Sequence, residues 1–183
     1  MAISTCKKTG INITNVFPEG ATWRGLYDKV FYTYEFLKQC DSEYVLFLDG
    51  YDTVVLTSPQ ELVNRFQAAG CDILYSGEKT MYPPAIEASR IEGGGIFPYI
   101  NSGCFMGRRE SLLLFHELLI EKLSDSEFMA SYIAQACQND QGLVRLLAGN
   151  FNEANIRVDY SSLLFLTVFG AEGLYVSDNK EFR

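Results

Sequence analysis

Two carboxylates, Asp49 and Asp52, stand three positions apart where the apolar run Tyr44-Val45-Leu46-Phe47-Leu48 ends. Such a run with turn chemistry behind it predicts a strand buried on both faces. Open α/β sheets bind their ligands beyond the carboxyl ends of such strands. Unpaired carboxylates are costly there. A divalent cation or a cationic side chain makes them favourable, and a set of hard oxygens suits Mn2+ or Mg2+. The plain alternative is a solvated loop in which Gly50 makes the turn. Other groups could join such a site. Asp140 opens a helical run behind Asn139, Glu78 follows the run Asp72–Ser76, and Lys29 lies on a predicted helix. Each has a structural alternative, since Asp is stabilised at a helix N-terminus by the macrodipole and a helical lysine is usually solvated.

The same Asp49-Gly50-Tyr51-Asp52-Thr53 stretch resembles the nucleophile motif of haloacid dehalogenase-type phosphatases, in which the second Asp comes two residues after the first. Here it comes three residues after. A general acid must reach the reacting atom by a hydrogen bond, so the altered spacing disfavours that chemistry.

The elements that would position these groups alternate between strand and helix. Strands are expected at Ile11–Val16, Tyr44–Leu48, Asp72–Ser76, Tyr99–Gly107 (broken by Asn101-Ser102-Gly103), Ile156–Val158 and Leu163–Phe169. Leu26, Val30, Tyr34 and Leu37 recur at helical spacing and predict a helix over Trp23–Lys38. Ser58-Pro59-Gln60-Glu61 carries an N-cap, a first-turn proline and a capping-box glutamate, with Gly70 as the stop. Further helices are expected over Leu112–Leu123, Glu127–Cys137 and Asp140–Ala148. Gly77 to Pro98, dense in Gly and Pro, reads as a long functional loop. The pattern implies an α/β/α sandwich around a mainly parallel mixed sheet, with no linker dividing residues 1–183.

Composition narrows the function classes. The 183 residues are 48% hydrophobic with a net charge of −8, an ordinary globular balance that lacks the basic face nucleic acid requires. No apolar run approaches the ~20 residues of a membrane span. Met1–Lys8 has no signal-peptide pattern. Five cysteines without a CxxC pair predict free thiols in a reducing, cytoplasmic setting. The single histidine, His116, sits inside Leu112-Leu113-Leu114-Phe115-His116-Glu117-Leu118-Leu119, a position for packing rather than ligation.

Three segments in one order carry a family resemblance. They are Leu48-Asp49-Gly50-Tyr51-Asp52, Tyr99-Ile100-Asn101-Ser102-Gly103-Cys104-Phe105-Met106-Gly107 and Asn139-Asp140-Gln141. Trp23-Arg24-Gly25 with Lys29, Ser76-Gly77-Glu78 before Tyr82-Pro83, and Ile156-Arg157-Val158-Asp159 support them. The chain resembles the glycosyltransferase domain of the procollagen lysyl hydroxylases and their microbial and viral relatives. The resemblance implies a glycosyltransferase A-type, Rossmann-like fold that transfers a hexose, glucose or galactose, from a UDP-sugar to a hydroxyl acceptor. On it, Asp49 and Asp52 hold Mn2+ or Mg2+ and Tyr51 presents its ring to uracil. Asn101, Ser102, Gly103 and Gln141 face the donor, Lys29 touches the diphosphate, Glu78 lies at the donor site, and Asp140 is the acidic group beside the transferred sugar.

The family also has a strand before the first helix and a late histidine in a His-Gly-Asn-Gly setting, as third metal ligand. Neither is found here, so the expectation is a domain truncated at both ends with little transfer of its own. A degenerate domain that binds nucleotide-sugar or glycan without turnover is the competing possibility.

Overall fold

The computed structural model describes residues 2–50, 52–84, 91, 94–136 and 139–168. Its elements run α1 (Ala2–Thr9), α2 (Tyr27–Gln39), β1 (Tyr44–Leu48), α3 (Pro59–Ala69), β2 (Ile73–Glu78), β3 (Tyr99–Arg108), α4 (Arg109–Ser124), α5 (Ser126–Ala136), α6 (Asp140–Ala148) and β4 (Ile156–Asp159). The four strands form one mixed sheet in the order β1-β3-β2-β4. β3 pairs antiparallel with both β1 and β2, whereas β2 and β4 are parallel. Three strands therefore point one way and β3 alone is reversed, which makes two of the three pairings antiparallel.

Alternation along the strands divides the core into two layers. Ile73, Tyr75 and Phe105 face one core with Val30 and Leu37 of α2, Leu112, Phe115 and Leu119 of α4, and Leu143 and Val144 of α6. Leu74 and Met106 face the other, with Cys6 of α1 and Leu62 and Phe66 of α3. Helices cover both faces, as the strand–helix alternation predicts.

Local chemistry explains most boundaries. Ser58 Oγ accepts from Glu61 N (3.4 Å), and Gly70 closes α3 in the left-handed conformation (φ 64°), the conformation glycine enters most readily. α2 begins at Tyr27 rather than Trp23. The Asp28 carboxylate takes the Arg24 backbone N–H (2.8 Å) and guanidinium (2.6 Å), folding residues 24–27 into a turn. The hydrogen-bonded Arg24 guanidinium holds the Asp28 carboxyl below its ordinary range.

Two expected strands are absent. Residues 11–16 are irregular, with Ile13 39% exposed. The segment after them packs through its aromatics instead, Phe17 lying against Trp23 and Tyr32. Leu163 to Val168 form no strand, because the buried Asp159 carboxylate captures the N–H groups of Leu163, Leu164 and Phe165 at 2.7–2.8 Å. Those donors are then lost to any ladder. β1, one of the two edge strands of the described sheet, is only partly buried along its length rather than buried on both faces. Helix α1 was not expected: it places Cys6 in the core and its Thr5 hydroxyl accepts from Val55 N (3.0 Å).

Candidate donor site at the strand ends

Because β3 is reversed, its first half lies between the carboxyl ends of β1 and β2. Leu48 pairs with Cys104, and Ser76 with Asn101. Against β2 the register jumps between Tyr75 and Ser76, whose partners are Phe105 and Asn101, so Ser102–Cys104 bulge out of that ladder. Such bulges re-aim side chains. The expected break at Asn-Ser-Gly is thus present toward β2, and β1 pairs with β3 over Cys104–Arg108.

The bulge turns Ser102 toward α6. Asn139 caps that helix, its Oδ1 accepting from Gly142 N (3.1 Å), which places Asp140 and Gln141 in the first turn. Ser102 Oγ donates to Asp140 Oδ2 (2.8 Å) and Ser102 N to Gln141 Oε1 (3.1 Å). Both Ser102 and Asp140 are buried. From α2, Lys29 Nζ reaches Asp140 Oδ2 at 2.8 Å and Asp49 Oδ2 at 3.5 Å. Burial lowers the lysine's proton affinity, but Asp140 and then Asp49 outweigh it, and its pKa rises above the ordinary value.

Asp49 is fixed through its backbone N–H to the Gly103 carbonyl (2.8 Å). Its carboxyl is pushed up, first by burial, with Lys29 opposing and the charges of Asp140 and Asp52 adding to it. Asp52 is exposed. Gly103 leaves no room for a side chain, because a Cβ there would lie 2.9 Å from Asn101 Oδ1 and 3.1 Å from Asp49 Oδ2.

A second cluster adjoins the first. Glu78 Oε1 accepts from Gln141 Nε2 (2.6 Å) and Glu78 Oε2 from Asn101 Nδ2 (3.0 Å). Asn101 Oδ1 takes the Gly103 N–H (2.9 Å) and the Ser76 hydroxyl (3.2 Å). Gln141 Nε2 also donates to the Tyr82 carbonyl (2.9 Å), and one turn on, the fully buried Arg145 donates to the Pro83 carbonyl (2.9 Å). These two contacts hold the start of the long loop against α6. Sequence reasoning missed Arg145, whose position four residues after Gln141 puts the pair on one helix face.

The fold thus brings Asp49, Lys29, Asn101, Ser102, Gly103, Glu78, Asp140 and Gln141 into one connected region, with Asp52 beside Asp49. Tyr51 lies outside the described residues. Among those described, no group of three or more His, Cys, Asp or Glu side chains is gathered for a metal. His116 is buried in α4, its Nδ1 2.8 Å from the Leu112 carbonyl, and burial pushes its pKa down to about 4. Cys6, Cys40, Cys71 and Cys104 are free thiols. No helix among the described residues is long and apolar enough to cross a membrane.

Residues 25–179 match the family model described as the PLOD GT domain. Procollagen-lysine,2-oxoglutarate 5-dioxygenase of Drosophila melanogaster is 26% identical over 131 residues, 70% of this chain and 16% of that protein. The multifunctional procollagen lysine hydroxylase and glycosyltransferase LH3 of Rattus norvegicus is 33% identical over 64 residues, 34% of this chain and 9% of that one. The chain therefore spans a small fraction of the length of these relatives. Among solved structures, apo mouse xyloside xylosyltransferase 1 has a TM-score of 0.48 at 16% identity, covering 75% of this chain and 53% of that one.

Proposed function

This chain belongs to the PLOD glycosyltransferase-domain family, and from that premise we propose that it binds a UDP-sugar together with a divalent cation and transfers a hexose, glucose or galactose, to a hydroxyl acceptor. The observation that carries this is the gathering of α2, β1, β2, β3 and α6 side chains around the Asp49–Lys29–Asp140–Ser102 cluster at the strand ends. Asp49 and Asp52 would hold Mn2+ or Mg2+. The fit lies in the donor set: the half-exposed Asp49 carboxylate and the exposed Asp52 stand beside each other past the end of β1, with Lys29 Nζ 3.5 Å from Asp49. Two carboxylates plus substrate phosphates are a usual set for such an ion. The chemistry a bound cation supplies is neutralisation of the charge that develops on departing UDP.

The protein groups have separable tasks in this reading. Lys29 and Ser102 fix Asp140 as an oriented anion beside the transferred sugar, and Lys29 also offers positive charge toward the diphosphate. Glu78 and Gln141 hold Asn101 and the β3 backbone in place. Gly103 permits close approach of the donor, and Tyr51 offers its ring to uracil. The described residues share one sheet, which supports a single glycosyltransferase-like domain.

Calorimetry with UDP tests the proposal. Binding should be markedly tighter with Mn2+ than with chelator, and Asp49→Asn or Asp52→Asn should remove that difference. Equal affinity in the two conditions would sink the metal assignment. Binding without turnover is the second reading. Hydrolysis of UDP-glucose or UDP-galactose separates the two.

A further inference from the structure

On the core side of the Lys29–Asp140 pair lies a small, partly open space lined by Lys29, Thr33, Tyr75, Ser102, His116 and Asp140, with apolar walls from neighbouring core residues. Its volume is about 10 Å³, which is about what one water needs. Five elements meet there, with Tyr75 coming from β2. Lys29 and Thr33 lie one turn apart on α2, Ser102 comes from β3, His116 from α4 and Asp140 from α6.

Three polar groups on this lining have unused capacity. Thr33 Oγ1 is buried without a hydrogen-bond partner among the described residues, although a helical threonine can donate to the carbonyl four residues back. His116 Nδ1 faces the Leu112 carbonyl at 2.8 Å. A carbonyl only accepts, so Nδ1 carries the proton and Nε2 is left as an acceptor. The Lys29 ammonium has three donors and one short contact, to Asp140 at 2.8 Å; its others, to Asp49 and to Ser102 O and Oγ, are 3.4–3.5 Å.

We propose that this space is a hydration site holding one buried water, which links Thr33 and His116 to the Lys29–Asp140 pair and makes both of them positioning residues for that pair. The water accepts from the Thr33 hydroxyl and from Lys29 Nζ and donates to His116 Nε2, within the two to four bonds typical of buried waters. Its second proton is available to the Asp140 carboxylate. The site is independent of the transfer reading, since it follows from the cavity and its polar lining.

A crystal structure of the 183-residue chain should show one ordered water in this space, retained in Thr33→Ser and lost in Thr33→Val. In solution, the Lys29 ammonium protons should exchange with solvent several-fold faster in Thr33→Val than in the parent chain, with Thr33→Ser restoring the parent rate. A space without water density, with the Thr33 hydroxyl bonded to the Lys29 carbonyl, would overturn the proposal. So would unchanged ammonium exchange in Thr33→Val. If Thr33→Val does not fold, the density in the parent chain and the Thr33→Ser exchange rate decide it.

Discussion

Lys29 shows how one residue can organise a site that would otherwise repel itself. Its ammonium is 2.8 Å from Asp140 and 3.5 Å from Asp49, and its side chain is only 14% exposed. Burial of an isolated ammonium would be unfavourable, and two carboxylates outweigh that cost. Gly103 is the complementary residue, needed for what it lacks. In Gly103→Ala the new methyl would press on Asn101 Oδ1, which Ser76 and Gly103 N already hold, and on the half-exposed Asp49 carboxylate. The carboxylate can swing into solvent, so stability should fall by only about 1 kcal/mol. Displacing a metal-holding group should cost more in binding, about tenfold in UDP affinity with Mn2+, or roughly 1.4 kcal/mol. Unchanged affinity by calorimetry would show that Asp49 is not where the nucleotide is held. Asp49 and Asp52 were legible because charge after an apolar run is conspicuous. That Ser102 would turn inward to Asp140 was not, since a bulge decides it.

At the scale of elements, the segment before β3 is held to the sheet by close backbone contact. Ile96 N and Phe97 N donate to Tyr160 O (3.1 and 3.2 Å), and Phe97 lies over Gly77 of β2. A Cβ at position 77 would come within 2.5 Å of Phe97 O and 3.1 Å of Asp159 O. Backbone atoms cannot rotate away as a flexible side chain can. Gly77→Ala should therefore destabilise by about 3 kcal/mol, which at roughly 2–4 °C per kcal/mol for a chain of this size lowers Tm by about 6–12 °C. A thermal midpoint within a degree of the parent would show that the 96–98 segment moves freely. Helices α3 and α6 were legible to the residue because their caps are local side-chain chemistry. Of the expected strand Leu163–Phe169, residues 163–168 form none, because Asp159 claims the N–H groups of Leu163, Leu164 and Phe165, a contact written in no local pattern; Phe169 lies outside the described residues.

For the whole molecule, the core around Phe105 and Phe115 ties stability to pH through His116. The folded pKa is about 4 against an ordinary 6.5, so the unfolded chain binds a proton that the fold excludes. Stability is fully present above about pH 6.5 and is lost as pH falls toward 4. Between pH 7 and pH 5 the loss should be about 2 kcal/mol from this group alone. Asp49, with its carboxyl raised, acts in the opposite sense, favouring the fold as it takes up a proton in acid. Urea unfolding of the parent and of His116→Phe at both pH values checks this. The variant should lose about 2 kcal/mol less than the parent, and equal losses would mean that His116 is protonated within the fold.

Periodicity, capping residues and the break from apolar run to acid were enough to specify an α/β/α sandwich, the limits of α3 and α6, and the carboxylate pair, because each depends on neighbours in the chain. Only tertiary structure decided that β3 runs against its neighbours, that its bulge carries Ser102 to Asp140, and that Lys29 lies between two carboxylates from different elements. Those outcomes turn on competition for strand edges and buried hydrogen-bond partners among segments far apart in sequence, and no single segment encodes which will win.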